Sequence, residues 1–187
     1  MRVLADDPRL HHLAQPYVGA AATPFRATLF DKSPASNWLV AWHQDLSLPV
    51  MARTDDPEWG PWSTKAGQLY AIAPGAALEQ VVALRVHLDD STLANGPLRV
   101  LPSTHDRGVL HDIEVQRLAR TIAPVDCICA CGGVIAMRPL VIHASSKATG
   151  ERPRRVLHIE YAASLELSGI RLAIAEPGQF PTRTLLG

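Results

Sequence analysis

The sequence predicts a mainly β domain of the sandwich, jelly-roll or barrel type, and three observations lead to that prediction. Short runs rich in β-branched and aromatic residues follow one another between residues 25 and 162. Clusters of Gly, Pro, Asp, Asn and Ser separate these runs and favour turns. No internal repeat or low-complexity segment interrupts the 187 residues. Many short strands joined by turns in one chain of this size are typical of those architectures.

The predicted elements begin with a short helix. Asp7 has the character of an N-cap and Pro8 that of a first helical residue, so a helix should run through residues 9–15. A second helix is predicted over residues 111–120. Strands are predicted, in chain order, over residues 25–31, 37–45, 67–73, 80–89, 97–102, 125–130, 134–138, 139–145 and 154–162.

Composition and charge exclude several classes of protein. Lys and Arg number 18, as do Asp and Glu, so the formal net charge is zero. That balance argues against a nucleic-acid or anionic-membrane partner held by bulk charge. No apolar run approaches the roughly 18 residues of a membrane span, and the first ten residues carry no secretory signal. We expect a cytoplasmic single domain over 1–187 with a short N-terminal helical extension; the oligomeric state is open.

The three cysteines indicate a strand face and no zinc site. Cys127, Cys129 and Cys131 alternate along the chain, which favours small buried residues on one side of a strand. A structural zinc site would require cysteine pairs with a second pair elsewhere.

Four residues indicate a metal site and a neighbouring anion site. His43 and Asp45 are two positions apart near the end of a predicted strand, so their side chains share a face. A later strand delivers His143, and Arg154 follows it by eleven residues. Two histidines and one carboxylate form the facial triad of non-haem Fe(II) oxygenases. An arginine beyond them can pair its guanidinium with the distal carboxylate of a 2-oxo acid.

Strand alternation supports this grouping and separates two neighbouring arginines. Arg154 and Arg155 should point to opposite faces, and the spacing from His143 favours Arg154 as the inward residue. The same alternation predicts an inward set of Val156, His158 and Glu160 on the last strand, and of Asn37, Leu39 and Ala41 beside His43.

The motifs WHQDLSLP, NGPLRVLPSTH and HASS followed by PRR resemble those of the phytanoyl-CoA dioxygenase family of Fe(II)/2-oxoglutarate-dependent oxygenases. The resemblance runs from about residue 25 to residue 162. It implies a double-stranded β-helix (jelly-roll) fold with a few short flanking helices, and His43, Asp45 and His143 as iron ligands. It also implies that Arg154 anchors 2-oxoglutarate with Ser145 beside it, and that the reaction consumes O2 and hydroxylates a small organic molecule.

Other polar residues have two interpretations each. Trp62 either stacks on the cosubstrate or covers apolar surface. Asn37 and Lys32 either reach the cosubstrate or, for Asn37, cap a turn. Arg85 and His87 share a strand face that either lines a cavity or meets solvent.

Two rival functions stay open on the sequence. One is a metal-dependent cupin-type enzyme that uses no 2-oxo acid, although such an enzyme would leave Arg154 without a role. The other is a non-catalytic β-sandwich binding protein with a vestigial site, although the complete set of candidate ligands argues against it.

Overall fold

The computed structural model describes residues 2–174. The helices are α1 (Arg2–Ala5), α2 (Pro8–Val18), α3 (Gly75–Leu78) and α4 (Asp112–Thr121), with a 3-10 turn at Leu93–Asn95. The strands are β1 (Thr23–Lys32), β2 (Val40–His43), β3 (Ser47–Pro49), β4 (Trp62–Lys65), β5 (Gln68–Ile72), β6 (Val81–His87), β7 (Leu98–Val100), β8 (Val125–Cys127), β9 (Val134–Met137), β10 (His143–Ser145), β11 (Arg154–Ala162), β12 (Glu166–Leu167) and β13 (Ile170–Arg171).

Two four-stranded antiparallel sheets form the jelly roll. The larger has the strand order β1-β11-β6-β9, and the smaller has the order β2-β10-β7-β8. A three-stranded sheet, β3-β5-β4, and the hairpin β12-β13 pack around a shared apolar cluster at one end. The expectation of a mainly β jelly roll with a few short helices is confirmed.

The N-terminal helix lies where the sequence places it. Asp7 is the N-cap of α2, and its carboxylate accepts a hydrogen bond from the Arg9 backbone amide at 2.9 Å. The helix extends past Pro16 to Val18, further than the fading apolar period suggests. The second predicted helix is α4. None of the helices in residues 2–174 combines the length and apolarity that a membrane crossing requires.

The two faces of the larger sheet differ in chemistry. Its outer face is apolar and packs against α1 and α2 through Leu10, Ala14, Val82, Leu84, Leu157, Ile159 and Tyr161. Its inner face is polar, because cross-strand partners share a face and the register pairs Arg26 with Glu160, Lys32 with Arg154, and Arg85 with His158. The helices therefore cover the apolar side, and the space between the two sheets receives the charged side chains.

The strand that carries the first histidine is shorter than predicted. It begins at Val40, and the pairing of β2 with β10 slips by one residue between His43 and Val40. This bulge interrupts the alternation, so the expected inward set of Asn37, Leu39 and Ala41 is wrong. Leu39 is in fact 63% exposed.

The cysteine segment also differs from the expectation. Strand β8 ends at Cys127, Cys129 makes only an isolated bridge to Ser91, and Cys131 is exposed. The three thiols therefore do not form one buried strand face. Strands β3 and β4, three and four residues long, were not predicted.

Candidate active site

His43, Asp45 and His143 converge between the two sheets. One potential ligand atom from each residue lies within 4.8 Å of the others. The Nε2 atoms of His43 and His143 are each 3.5 Å from an oxygen of the Asp45 carboxylate. Adjacent strands bring the histidines together, since His43 of β2 is the direct cross-strand partner of His143 of β10.

Backbone carbonyls orient both imidazole rings. The Nδ1 atom of His43 lies 2.8 Å from the Ala41 carbonyl oxygen, and that of His143 lies 3.0 Å from the Val141 carbonyl oxygen. A neutral ring that donates Nδ1–H to a carbonyl presents its Nε2 lone pair on the opposite side. Both lone pairs are thereby directed towards the Asp45 carboxylate, and such carbonyl contacts are common behind metal-binding histidines.

The electrostatics of the three residues suit a divalent cation. Burial by itself would raise the pKa of Asp45, but the two histidines overcome that effect and hold this pKa well below its usual range. Burial lowers the pKa of His143 to about 4, so its ring is neutral at physiological pH. Burial also acts to lower the pKa of His43, but the hydrogen bond to Asp45 outweighs it and raises this pKa above 6.5. Two imidazole nitrogens and one carboxylate are a donor set that fits Fe(II).

Protons compete with a metal ion for the histidine nitrogens, so metal affinity at this site should depend on pH. His43 must lose a proton to bind metal, whereas His143, with a pKa of about 4, is already neutral near neutral pH. One proton should therefore be released per metal ion at pH values above the pKa of His143 and below that of His43. We expect the affinity for Mn²⁺, used as a redox-silent probe, to rise roughly tenfold per pH unit and to level off above the pKa of His43. Calorimetric titrations at a series of pH values would measure this slope. A slope of two protons would contradict the neutral state of His143.

Gln44 holds the segment between the first two candidate ligands. Its buried side-chain amide donates hydrogen bonds to the carbonyls of Gly108 and Leu140 at 2.9 and 2.8 Å. Its Oε1 atom accepts a hydrogen bond from the Leu110 backbone amide at 2.9 Å. The residue thus ties the His43–Asp45 segment to two loops.

We expect Gln44→Leu to lower the free energy of unfolding by about 2–4 kcal/mol, because three backbone groups lose a partner in a buried setting. Gln116→Leu is the matched control, since the Gln116 side chain makes one exposed contact of 3.4 Å to the Trp42 carbonyl. Urea unfolding of the metal-free proteins measures both. Equal destabilisation of the two variants would show that Gln44 is not a structural clamp.

A second cluster, of cations, lies beside Ser145, which is two residues beyond His143 on β10. Lys32 and Arg154 are 1% and 3% exposed, and both meet the Ser145 hydroxyl, at 2.7 Å from Lys32 Nζ and 3.3 Å from Arg154 Nη2. Lys32 also donates to the Ser146 carbonyl at 2.5 Å, and Ser145 donates to the Gly96 carbonyl. Neither cation has an ion-pair partner among residues 2–174, and the Nη1 atom of Arg154 is buried without any hydrogen-bond partner there.

Gly96 permits this close arrangement. Its φ is +64°, and a Cβ at this position would lie 2.3 Å from the Ser146 carbonyl oxygen and 3.2 Å from Lys32 Nζ. Only glycine accommodates both the left-handed backbone and the close approach of the lysine.

The pKa values reflect the unpaired charges. Burial, together with the charge of Arg85, lowers the pKa of Arg154 to about 10. Burial, with Arg154 and Arg85 nearby, lowers the pKa of Lys32 to about 8. An anion bound here would relieve both effects.

The other predicted site residues lie elsewhere. Arg155 is on the outer surface in an ion pair with Asp89 at 2.8 Å. Asn37 is exposed, and both ends of its amide bind the backbone of Ala148, so it clamps a loop and does not reach the cations. Trp62 packs against the apolar cluster at the end of the barrel, with Arg53 over its ring, and not beside Arg154.

Arg26 is the inward residue that the sequence analysis did not single out. It forms a two-pronged ion pair with Glu160 and donates to the Ser47 carbonyl at 3.2 Å. Strand alternation could have predicted this orientation, because Arg26 and Lys32 are both even-numbered residues of β1 and therefore share its inner face.

Fold and site together define the class of protein. The two sheets of the jelly roll carry a His-Asp-His triad. They also carry two buried cations, Lys32 and Arg154, that have no acidic partner among residues 2–174. The chain belongs to the phytanoyl-CoA dioxygenase (PhyH) family, whose model matches residues 2–156. The matched segment includes all four residues of the candidate triad and anchor.

Solved structures show the same fold. AviO1 from Streptomyces viridochromogenes Tue57 is 26% identical, with 86% of this chain and 60% of that chain covered and a TM-score of 0.62. EctD from S. alaskensis in its apoform is 21% identical over 95% of this chain and 57% of that chain, with a TM-score of 0.66. SnoN, described as a non-heme alpha ketoglutarate dependent epimerase from nogalamycin biosynthesis, is 19% identical over 86% and 55%, with a TM-score of 0.59.

The chain spans less than two thirds of the length of each of these structures. EctD has also been solved with 2-oxoglutarate and 5-hydroxyectoine, and that structure matches 87% of this chain with a TM-score of 0.63. A search of curated protein sequences found no match.

Proposed function

We propose that this protein is a non-haem Fe(II)- and 2-oxoglutarate-dependent oxygenase that hydroxylates a small organic molecule. The observation that carries the proposal is the presence of two clusters joined by β10, which carries His143 of the triad and Ser145 of the cation cluster. A His-Asp-His triad of the right donor chemistry lies near buried cations that lack acidic partners. A dianion with a metal-chelating end and a distal carboxylate satisfies both clusters at once.

The residues that would hold iron are His43, Asp45 and His143. When bound, Fe(II) supplies the redox chemistry by which O2 and a 2-oxo acid oxidise a C–H bond. The role of the chain is to fix the two imidazoles through the Ala41 and Val141 carbonyls and to keep Asp45 ionised. Three protein ligands leave the remaining coordination positions for the cosubstrate and O2.

In this proposal, Arg154 binds the distal carboxylate of 2-oxoglutarate. Its guanidinium has an unpaired Nη1 and a long contact from Nη2, so it can form two parallel hydrogen bonds with a carboxylate. The Ser145 hydroxyl and the Lys32 ammonium lie on the same side of the cavity. Since these groups are almost completely buried, the carboxylate would be shielded from water and the pairing correspondingly stronger.

The buried cations favour this function over a cupin-type enzyme that uses no 2-oxo acid. Such an enzyme would leave the charges of Arg154 and Lys32 uncompensated inside the barrel, which is costly. The descriptions of EctD, solved with 2-oxoglutarate, and of SnoN, called alpha ketoglutarate dependent, support the same choice.

Succinate formation tests the proposal. Purified protein supplied with Fe(II), 2-oxoglutarate and air should form succinate above the rate of a metal-free sample, even without a substrate. A panel of small metabolites should include compounds that accelerate this turnover. Succinate at the metal-free rate under all conditions would reject the function.

A further inference from the structure

Arg85 is a buried cation that the proposed cosubstrate does not account for. It lies on the inner face of β6 and is 6% exposed. Its guanidinium packs over the Phe30 ring at 5.3 Å, and Nη1 lies 3.0 Å from Nδ1 of His158. Its Nε atom is buried without a hydrogen-bond partner among residues 2–174.

Arg26 shows what a structural arginine looks like in the same cavity. It pairs with Glu160 on the neighbouring strand, and despite its burial this carboxylate raises its pKa. Arg85 has no acidic ion-pair partner in the described part of the chain, and burial lowers its pKa. The fold therefore keeps one arginine neutralised and leaves the other with an open position for an anion.

The location of Arg85 is close to the metal centre. The Asp45 carboxylate is within electrostatic reach of Arg85, and the charge of Arg85 contributes to lowering the pKa of His143. The charge of Arg85 also contributes to lowering the pKa values of Lys32 and Arg154. The strand register gives the position: His158, the partner of Arg85 on β11, lies between Arg154 and Glu160, so Arg85 shares the inner face of the larger sheet with the anchor.

A count of the charges in the site with metal and 2-oxoglutarate bound leaves one cation without a counter-charge. With a divalent metal and 2-oxoglutarate bound, Asp45 and the chelating carboxylate offset the two charges of the metal. The distal carboxylate offsets Arg154, and the Lys32 ammonium shares this anion and has a pKa of only about 8. Arg85 remains without a counter-charge, and an uncompensated buried charge is costly.

We infer that Arg85 binds the carboxylate of the primary substrate, so that the substrate of this protein is a small organic acid. The inference rests on the proposed function and adds the substrate class to it. His87, two residues away on the same face and 1% exposed, has both ring nitrogens buried without partners and supplies a neutral N–H donor next to Arg85. A fork of guanidinium donors matches the planar carboxylate.

Thermal stability separates a binding residue from a structural one. If Arg85 is kept for an anion, Arg85→Met should raise the melting temperature of the metal-free and cosubstrate-free protein, by about 2–4 °C. If its contacts with Phe30 and His158 hold the fold together, the same variant should melt lower or fail to fold. That second result would overturn the inference.

Matched ligands test the carboxylate directly. The wild-type protein, loaded with Mn²⁺ and saturating 2-oxoglutarate, is titrated with linear acids from acetate to octanoate and with their primary amides. We expect at least one acid to raise the melting temperature more than its amide does, and we expect Arg85→Met to lose this preference. Arg120→Met, which removes an exposed cation of α4, should retain it.

The outcomes distinguish this inference from the proposed function. Calorimetry should give the same affinity for 2-oxoglutarate in Arg85→Met as in the wild type, within about threefold. A loss of tenfold or more would assign Arg85 to the cosubstrate and overturn the inference. So would the absence of any preference for acids over amides, or a preference that survives in Arg85→Met. Failure of the wild-type protein to bind 2-oxoglutarate at all would instead reject the proposed function.

Discussion

His43→Ala should abolish metal-dependent turnover of 2-oxoglutarate while leaving the protein folded. His43 supplies one of three candidate ligand atoms, and its side chain is only partly buried at the open side of the site. Its removal therefore creates no large cavity in the core. Loss of even a residue behind a metal ligand commonly costs ten- to a hundredfold, so we expect the loss of a ligand to exceed about a hundredfold in kcat/KM.

The control for this variant is His12→Ala, which removes an exposed histidine of α2. It should retain wild-type activity and metal content. Metal content by elemental analysis and succinate formation are measured on both proteins. Unchanged metal stoichiometry and activity in His43→Ala would show that this residue is not a ligand.

Arg154→Ala should raise the KM for 2-oxoglutarate roughly tenfold or more, whereas Arg155→Ala should leave it nearly unchanged. Removing one partner of a desolvated charged pair costs roughly 2–5 kcal/mol, and each 1.4 kcal/mol corresponds to about a tenfold change. Arg154 is buried beside Ser145, while Arg155 is exposed and paired with Asp89. Exposed pairs contribute little, about 0–1 kcal/mol.

Arg154→Lys refines the comparison. Lysine keeps the charge but cannot form two parallel hydrogen bonds with one carboxylate, so its KM should lie between those of the wild type and Arg154→Ala. Steady-state titration of 2-oxoglutarate with each variant measures the effect. If Arg155→Ala rather than Arg154→Ala raises the KM, the cosubstrate anchor has been assigned to the wrong arginine.

Much of the fold could be predicted because side-chain character alternates along the longer strands. The run at 154–162 is long, its apolar residues Leu157, Ile159 and Tyr161 alternate with a more polar set, and it became β11 at the predicted bounds. Its alternation also placed Arg154 inward and Arg155 outward, since pairing with β1 and β6 is regular from Arg154 to Glu160. Family motifs then predicted the jelly roll.

Strand alternation predicted side-chain orientation wrongly where the pairing between β2 and β10 is irregular. The bulge between β2 and β10 depends on tertiary pairing, so the sequence around Asn37 contains no sign of it. Strands β3 and β4 were missed because they are short and gain their stability from pairing with β5, not from local propensity.

The buried charged residues Lys32 and Arg85 show a different limit. Lys32 and Arg85 were ambiguous on the sequence, because charged residues on a strand are usually exposed. What decides their position is the apolar outer face of the same strands, which α2 covers. The packing of that helix turns the polar face inward, and such long-range packing is not encoded in a local run of residues.

Binding of 2-oxoglutarate in the absence of O2 tests the central claim most directly. The claim is that the triad and the cation cluster hold one dicarboxylate together. Calorimetry on the Fe(II)-loaded protein should give one site per chain, with an affinity at least roughly tenfold higher than without metal and roughly tenfold lower in Arg154→Ala. Equal binding with and without metal, or no binding in either state, would contradict the account.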